Sequence, residues 1–306
     1  MITGIGNPVF DLIETPYLKT GGRVLSGCST NACLALSKLG METALIGRVA
    51  QDYETLFRSE MERFKINYAI EESEESGGFK LIYFDDHGNR TLDVLGDAGP
   101  IGFFPEKYAE SEWILFGPIL QEIDLRYVEM VKSQSKAKIF VDPQGFLRRT
   151  ESGRILHEKT PEIEAIAALS DVFKPNEMEC KVLTGIDPRV DYETPAKIIK
   201  SWGAKLVIIT LAEAGSVIYD GSDFYVIPAY ETLAKDSTGA GDTYAAGIIY
   251  ALSHGYDYFD AGCFAGCVSS VMIENCGPDF PLTLPEAERR KDDLIKRHLQ
   301  KVHSNN

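Results

Sequence analysis

Short apolar runs bounded by turns alternate along this chain with longer stretches whose apolar positions recur at helical spacing. The runs Ile2–Ile5, Thr43–Gly47, Trp113–Gly117, Lys138–Asp142, Val172–Lys174 and Leu206–Thr210 read as strands. Between them Ser29–Leu39, Tyr53–Phe64, Leu125–Ser135, Pro161–Leu169, Glu177–Leu183 and Glu193–Trp202 read as helices. Strand-helix alternation of this kind predicts an α/β fold, a parallel sheet with helices on both faces. Runs such as Leu206-Val207-Ile208-Ile209 are apolar throughout, as a strand covered on both sides requires.

Two regions break the alternation. Within Asn67–Gly99, the run Phe79–Phe84, a turn at Asp85–Asn89 and the run Arg90–Leu95 predict a hairpin rather than a crossover unit. With Val9–Val24 it would form a small sheet, read as a lid over the ligand-binding edge and spanning about residues 9–24 and 67–99. A hairpin with no such role is the alternative on these residues alone. A second hairpin, Ser216–Ile227, turns at Asp220-Gly221. After it the chain is strongly helical over Asp242–His254, Tyr256–Glu274 and Pro285 to about Val302. No internal repeat or low-complexity linker divides residues 1–306, which read as one domain carrying a lid.

Charge narrows the partners. The formal net charge of −15 argues against nucleic acid and anionic membranes, both of which select basic surfaces. No basic leader precedes an apolar run and no stretch approaches a membrane span, so a cytoplasmic protein is expected. Six cysteines (Cys28, Cys33, Cys180, Cys263, Cys267 and Cys276) include no C-x-x-C pair, and the five histidines lack metal-ligand spacing. Reduced thiols are expected, without a His- or Cys-built metal site.

The chemistry concentrates in Asp236-Ser237-Thr238-Gly239-Ala240-Gly241-Asp242, which opens a predicted helix. Glycine lets successive amides point one way, and a helix N-terminus adds partial positive charge at the same spot. Gly239, Ala240 and Gly241 thus form an anion hole with Asp242 at its lip. A carboxylate there would repel a bound phosphate unless it accepts the proton of a hydroxyl attacking a phosphoryl group, which makes the run a kinase candidate. A glycine-rich loop that only caps a helix is the plain alternative. A helix N-terminus lowers a carboxylate's pKa, so Asp242 is expected to be a weak base that works by position.

Three further runs precede it. Ser26-Gly27-Cys28-Ser29-Thr30-Asn31 leads into a helix, and Asn31 can both donate to and accept from a hydroxyl. Lys174-Pro175-Asn176-Glu177-Met178-Glu179 starts another, where Asn176 and Glu179 share a helix face and could hold Mg²⁺ through water. Asp142-Pro143-Gln144-Gly145 and the arginines at 148 and 149 follow a parallel strand, where α/β sheets bind ligands; Asp142, Gln144 and one arginine are candidate substrate contacts. Each run is also ordinary helix-start or turn chemistry.

Taken in order, these runs and Val207–Gly215 resemble the ribokinase-like (pfkB-type) carbohydrate kinase family over nearly the whole chain. Asp-Ser-Thr-Gly-Ala-Gly-Asp is similar to its C-terminal signature, Gly27-x-x-x-Asn31 with Leu39-Gly40 to its N-terminal one, and Asn176-x-x-Glu179 to its Mg²⁺-associated motif. The resemblance implies a Rossmann-like three-layer α/β/α core, a β-sheet lid, and transfer of the ATP γ-phosphate to a hydroxyl of a small sugar, nucleoside or cyclic polyol. It implies Asp242 as base and the Gly239, Ala240 and Gly241 amides as anion hole. Asp11, Gly27 and Asn31 match substrate contacts, while Asn176, Thr210, Gly215 and the position of Gly266 match the nucleotide side. Glu179 matches the Mg²⁺ carboxylate and Asp236 the place where some members bind a monovalent cation. A homodimer through the lid is a family expectation. Ser26, Ala212 and Gly266 depart from the pattern, standing for a glycine, a glycine and an asparagine near the adenine.

A ligand-binding protein that kept the fold as a sensor is the second reading; the intact Gly-Ala-Gly and Asp242 speak against it. A dinucleotide enzyme, suggested by Gly4-x-Gly6, lacks the helix and third glycine it needs, because Pro8 and Val9 follow. No G-x-x-x-x-G-K-[ST] run supports a P-loop kinase.

Overall fold

The computed structural model of the chain describes residues 1–84, 90–151 and 154–304, with side chains to residue 300. The turn expected at Asp85–Asn89 lies outside the described residues. Among these residues the main sheet has nine strands in the order Phe224–Ile227, Ser216–Tyr219, Leu206–Thr210, Val172–Phe173, Lys138–Val141, Trp113–Phe116, Ile2–Ile5, Thr43–Val49 and Asn67–Glu72. Every pairing from Leu206–Thr210 to Asn67–Glu72 is parallel, and the Ser216–Ile227 hairpin adds an antiparallel edge.

Strand residues alternate between two cores because successive side chains leave a sheet on opposite faces. Leu115, Leu206 and Ile208 enter one core with Leu34 and Leu36 of the helix Cys28–Lys38, Phe57 of Gln51–Arg63, and the helices Ala240–Ser253 and Tyr258–Ile273. Ile114, Phe116, Val207 and Ile209 enter the other with Val128 and Val131 of the helix Leu125–Gln134 and Ile199 of Glu193–Ser201. The three layers follow directly, as in the expected α/β/α core. Parallel strands also bring their C-terminal ends to one edge of the sheet, where Gly6-Asn7, Gly117, Asp142, Lys174 and Thr210 emerge together.

A second sheet stands beside this edge, in the order Arg148–Glu151, Arg154–His157, Arg90–Gly96, Gly78–Tyr83, Val9–Glu14 and Val24–Ser26. The expected hairpin is present, with Gly78–Tyr83 antiparallel to Arg90–Gly96, and Val9–Glu14 joins it in parallel. One expectation needs correction, and one alternative reading falls. Asn67–Glu72 belongs to the main sheet, paired with Thr43–Val49, because its hydrogen bonds are claimed by that exposed parallel edge. The residues after Asp142 are more than a polar turn: Arg148–Glu151 and Arg154–His157 form a hairpin that extends the second sheet. The inner face of this sheet buries Val9, Ile13, Phe79, Leu81 and Tyr83 against Ile119 and Cys28.

Candidate functional site

Three helix starts meet at the strand ends. Gly239, in the left-handed region at φ 80°, caps Ala240–Ser253. A Cβ there would lie 2.9 Å from Asn31 Nδ2 and 3.1 Å from Met272 Cε, so glycine is required for both conformation and space. Gly27 caps Cys28–Lys38 and accepts the Asn31 amide at 2.7 Å. Asn31 is buried, and its Nδ2 donates to Asp242 Oδ2 at 2.9 Å, locking the two helix starts together. The Ala240 amide turns back to Ser237 O at 3.3 Å. By contrast, the amides of Gly239, Gly241 and Asp242 have no acceptor among the described residues.

The third start is Glu177–Thr184, where Asn176 is the N-cap and forms a capping box with Glu179. Asn176 Oδ1 accepts the Glu179 amide at 2.9 Å, while Glu179 accepts from the Asn176 amide and from Asn176 Nδ2, each at 2.8 Å. The expectation that these residues share a helix face is thereby corrected: Asn176 precedes the helix and its side chain holds Glu179 directly. Burial, followed by the charge of Asp142, raises the Glu179 pKa to about 7. Asp142 Oδ1 accepts the Gln144 amide at 3.1 Å and Oδ2 faces Lys174 Nζ at 2.8 Å, with both ionic side chains buried. The Gln144 side chain is half-buried beside them.

Asp242 departs from expectation. Its pKa is raised, first by burial and then by the Asp142 charge, while hydrogen bonds from Asn31 and Cys28 and the Lys174 charge offset part of the rise. Desolvation and the Asp142 charge outweigh the groups that favour the carboxylate, so Asp242 is a stronger base than its place at a helix start suggests. Cys28 gained no role from cysteine spacing, yet its thiol sits here. Ligand atoms of Cys28, Asp142 and Asp242 all lie within 4.8 Å of one another. Burial and the two aspartates push the thiol far up, so it remains a protonated donor.

The second sheet supplies the other wall. Asp11, 3% exposed, accepts the Phe79 amide at 2.8 Å and a bond from the Ser26 side chain, and burial raises its pKa to about 6. Tyr83 hydroxyl meets Thr238 Oγ1 at 2.8 Å and accepts from Arg90 Nη1 at 2.7 Å, so this sheet touches the signature run. Between the two candidate arginines, burial decides: Arg149 pairs with Glu158 at the surface, whereas Arg148 is 5% exposed. Its Nη1 donates to Ile119 O at 3.3 Å, and its Nε has no partner among the described residues. Burial and Arg90 lower the Arg148 pKa, against Glu179 and Asp242, which favour its charge.

On the remaining side, Thr210 ends its strand and its amide donates to Pro175 O at 3.1 Å. Gly215, at φ 91°, has no room for a side chain, since a Cβ would lie 2.0 Å from Ile227 O. Ala212 occupies the left-handed region at φ 49° that glycine would reach without strain. A Cβ on Gly266 would meet open space, and Ser269, one turn later, donates to Ala240 O at 2.7 Å. Asp236 is 1% exposed; Oδ1 accepts the Thr238 amide at 2.9 Å, Oδ2 has no hydrogen-bond partner among the described residues, and the carboxylate neighbours the Cys276 thiol. The predicted residues thus gather around one edge. Lys174 and Cys28 were missed, although a lysine closing an otherwise apolar parallel strand was a readable signal.

Comparison with known proteins gives the family and the fold. The pattern of the pfkB family carbohydrate kinases matches residues 10–285. The cytidine kinase of Thermococcus kodakarensis is 27% identical over 241 residues, 76% of this chain and 81% of that one. The ribokinase of Lactococcus lactis subsp. lactis is 26% identical over 275 residues, 86% of this chain and 84% of its own. Among solved structures, a pyrophosphate-dependent kinase in the ribokinase family, complexed with a pyrophosphate analog and myo-inositol, superposes with a TM-score of 0.78. It is 23% identical, over 94% of this chain and 100% of that one. The chain belongs to the pfkB family of carbohydrate kinases. It has the ribokinase fold and is a phosphotransferase with an alcohol group as acceptor. Among the described residues, no helix is long and apolar enough to cross a membrane.

Proposed function

We propose that the protein transfers the γ-phosphoryl group of ATP, with Mg²⁺, to a hydroxyl of a small sugar, nucleoside or cyclic polyol. The observation that carries this reading is the pairing of Asp242, oriented by Asn31 and raised in pKa, with the acceptor-free amides of Gly239 and Gly241. The carboxylate takes the proton of the attacking hydroxyl while the amides receive the oxygens of the phosphoryl group. In this reading the Ala240 amide contributes less than the other two, being turned toward Ser237.

Asp11, Asn31 and the Gly27 backbone hold the acceptor, with Gln144 and Arg148 on its far side; Asp142, whose two oxygens already have partners, acts through Lys174. The donor lies along Asn176, Thr210, Gly215 and Gly266. Mg²⁺ fits the charge here: Asp11, Asp142, Glu179 and Asp242 outnumber Lys174, Arg148 and Arg90 among the described residues, and carboxylate oxygens are the ligands it takes. Asn176 and Glu179 would hold it, Glu179 through water, and when bound it would neutralise charge on the donor phosphates. The orphaned, buried Oδ2 of Asp236 fits a monovalent cation. The second sheet is the lid, and the exposed Leu156 on it, with Tyr17 and Phe84 in the loops beside it, supports a homodimer through it.

The test is donor consumption with Mg²⁺ against ribose, hexoses, cytidine, inosine and myo-inositol, with ATP and pyrophosphate as alternative donors. Acceptor-dependent turnover that Asp242→Asn abolishes supports the assignment. Binding of ATP and a polyol without turnover would instead favour a sensor.

A further inference from the structure

We propose that Lys174 is a catalytic residue whose ammonium grips the phosphoryl group in transit, an assignment that rests on the kinase reading above. Lys174 leaves the C-terminal end of the strand Val172–Phe173 and is 1% exposed. Its Nζ lies 2.8 Å from Asp142 Oδ2, its one ion-pair partner among the described residues. An ammonium carries three protons, so this contact leaves donors in hand inside a buried site. Their surroundings point to a ligand. A Cβ built on Gly241 would lie 3.4 Å from Nζ, which places the ammonium beside the stretch whose Gly239 and Gly241 amides have no acceptor. Its charge reaches Asp142, Glu179 and Cys28, and it acts on Asp242 as well.

The placement has a chemical use. As the acceptor oxygen forms its bond to the γ-phosphorus and the bond to the ADP oxygen breaks, negative charge rests on the equatorial oxygens of the transferring group. The acceptor proton passes to Asp242. Lys174 keeps its own protons and donates one to an equatorial oxygen, while Asp142 anchors Nζ from the opposite side. A cation fixed in advance and shielded from water stabilises that charge more effectively than a mobile surface lysine could. The alternative is an ion pair in which Lys174 only neutralises Asp142 so that the strand end can be buried.

A mutant cycle separates the two roles. Lys174→Met alone strands Asp142 as a buried, unpaired charge and is prone to misfold. The comparison is therefore between Asp142→Asn, in which the Glu179 charge still faces the Lys174 ammonium, and the double variant Lys174→Met/Asp142→Asn, neither of which buries a lone carboxylate at this pair. If Lys174 acts on the phosphoryl group, kcat of the double variant falls below that of Asp142→Asn by about 10²–10³-fold with the acceptor KM unchanged. Calorimetric binding of ADP with aluminium fluoride, a mimic of the transferring group, weakens over a similar range, whereas binding of ADP alone does not. Equal kcat and equal aluminium fluoride binding in the two variants overturn the assignment. If the wild type turns over no acceptor with either donor, the kinase reading fails, and the aluminium fluoride comparison still tests Lys174 by itself.

Discussion

The two walls of the site are built in different ways. One consists of helix starts, Gly27 to Asn31, Asn176 to Glu179 and Gly239 to Asp242, whose parts lie within a few residues of each other. The other comes from the second sheet and its contacts: Asp11 with Phe79, Tyr83 with Thr238, and Arg148 near Asp242, joined across long stretches of chain. The first wall uses backbone amides and a carboxylate, groups that suit any phosphoryl transfer. The second uses side chains in a particular arrangement. Under the proposed function, reaction type therefore rests on local runs, whereas acceptor choice draws on both walls: Gly27 and Asn31 from the first, Asp11 and Arg148 from the second.

The comparison breaks most visibly at Asp242. Asp242→Asn should lower kcat by about 10²–10⁴-fold, the range of a general base, with ATP binding little changed. Because burial raises the wild-type pKa, the acid limb of the kcat/KM profile should sit above the ordinary carboxylate range and vanish in the variant. A profile flat down to pH 4 would remove Asp242 from that role.

Arg148 tests the opposite wall. Arg148→Met should raise the acceptor KM by about 10–100-fold, as expected for losing a hydrogen bond from a charged group, and leave the ATP KM alone. An equal rise in both constants would mean that the two walls are not separable.

Asp11 sharpens the comparison through stability. Its folded pKa of about 6 lies above the unfolded value of 3.8, so the folded state holds the extra proton between them. Stability should therefore fall as pH rises from about 4 to 6, by an amount on the order of 3 kcal/mol, and remain lower above that window. Asp11→Asn should remove this slope and melt higher than wild type at pH 8, while weakening acceptor binding. Parallel melting curves for both proteins across pH 4–8 would rule out a buried, costly carboxylate.

The smallest expected effect is at the contact between the walls. Tyr83→Phe removes a hydroxyl shared with Thr238 and Arg90, and should raise the acceptor KM by only about 2–10-fold, because these bonds steady the wall without touching the acceptor. No change would mean that the second sheet can close without this bond.

The alternation of apolar runs and helical spacings determined the three-layer core, because a parallel strand buried on both faces admits little but apolar residues. The glycine-rich run was equally legible as a helix start, since helix-start chemistry acts within one turn, whereas Asn176 and Glu179 were read as sharing a helix face rather than as a capping box. What the sequence left open lies where partners are distant. Asn67–Glu72 was assigned to the wrong sheet, because an edge strand is claimed by whichever neighbour presents unpaired backbone groups. The sign of the Asp242 shift came out reversed: a helix terminus is visible in sequence, whereas the burial of the carboxylate and the Asp142 charge beside it are not. Cys28 and Lys174 gained their places only when strand ends and helix starts converged. Local chemistry was written along the chain; charge environment and acceptor geometry arose from packing, because both depend on groups that only the folded chain brings within a few ångströms.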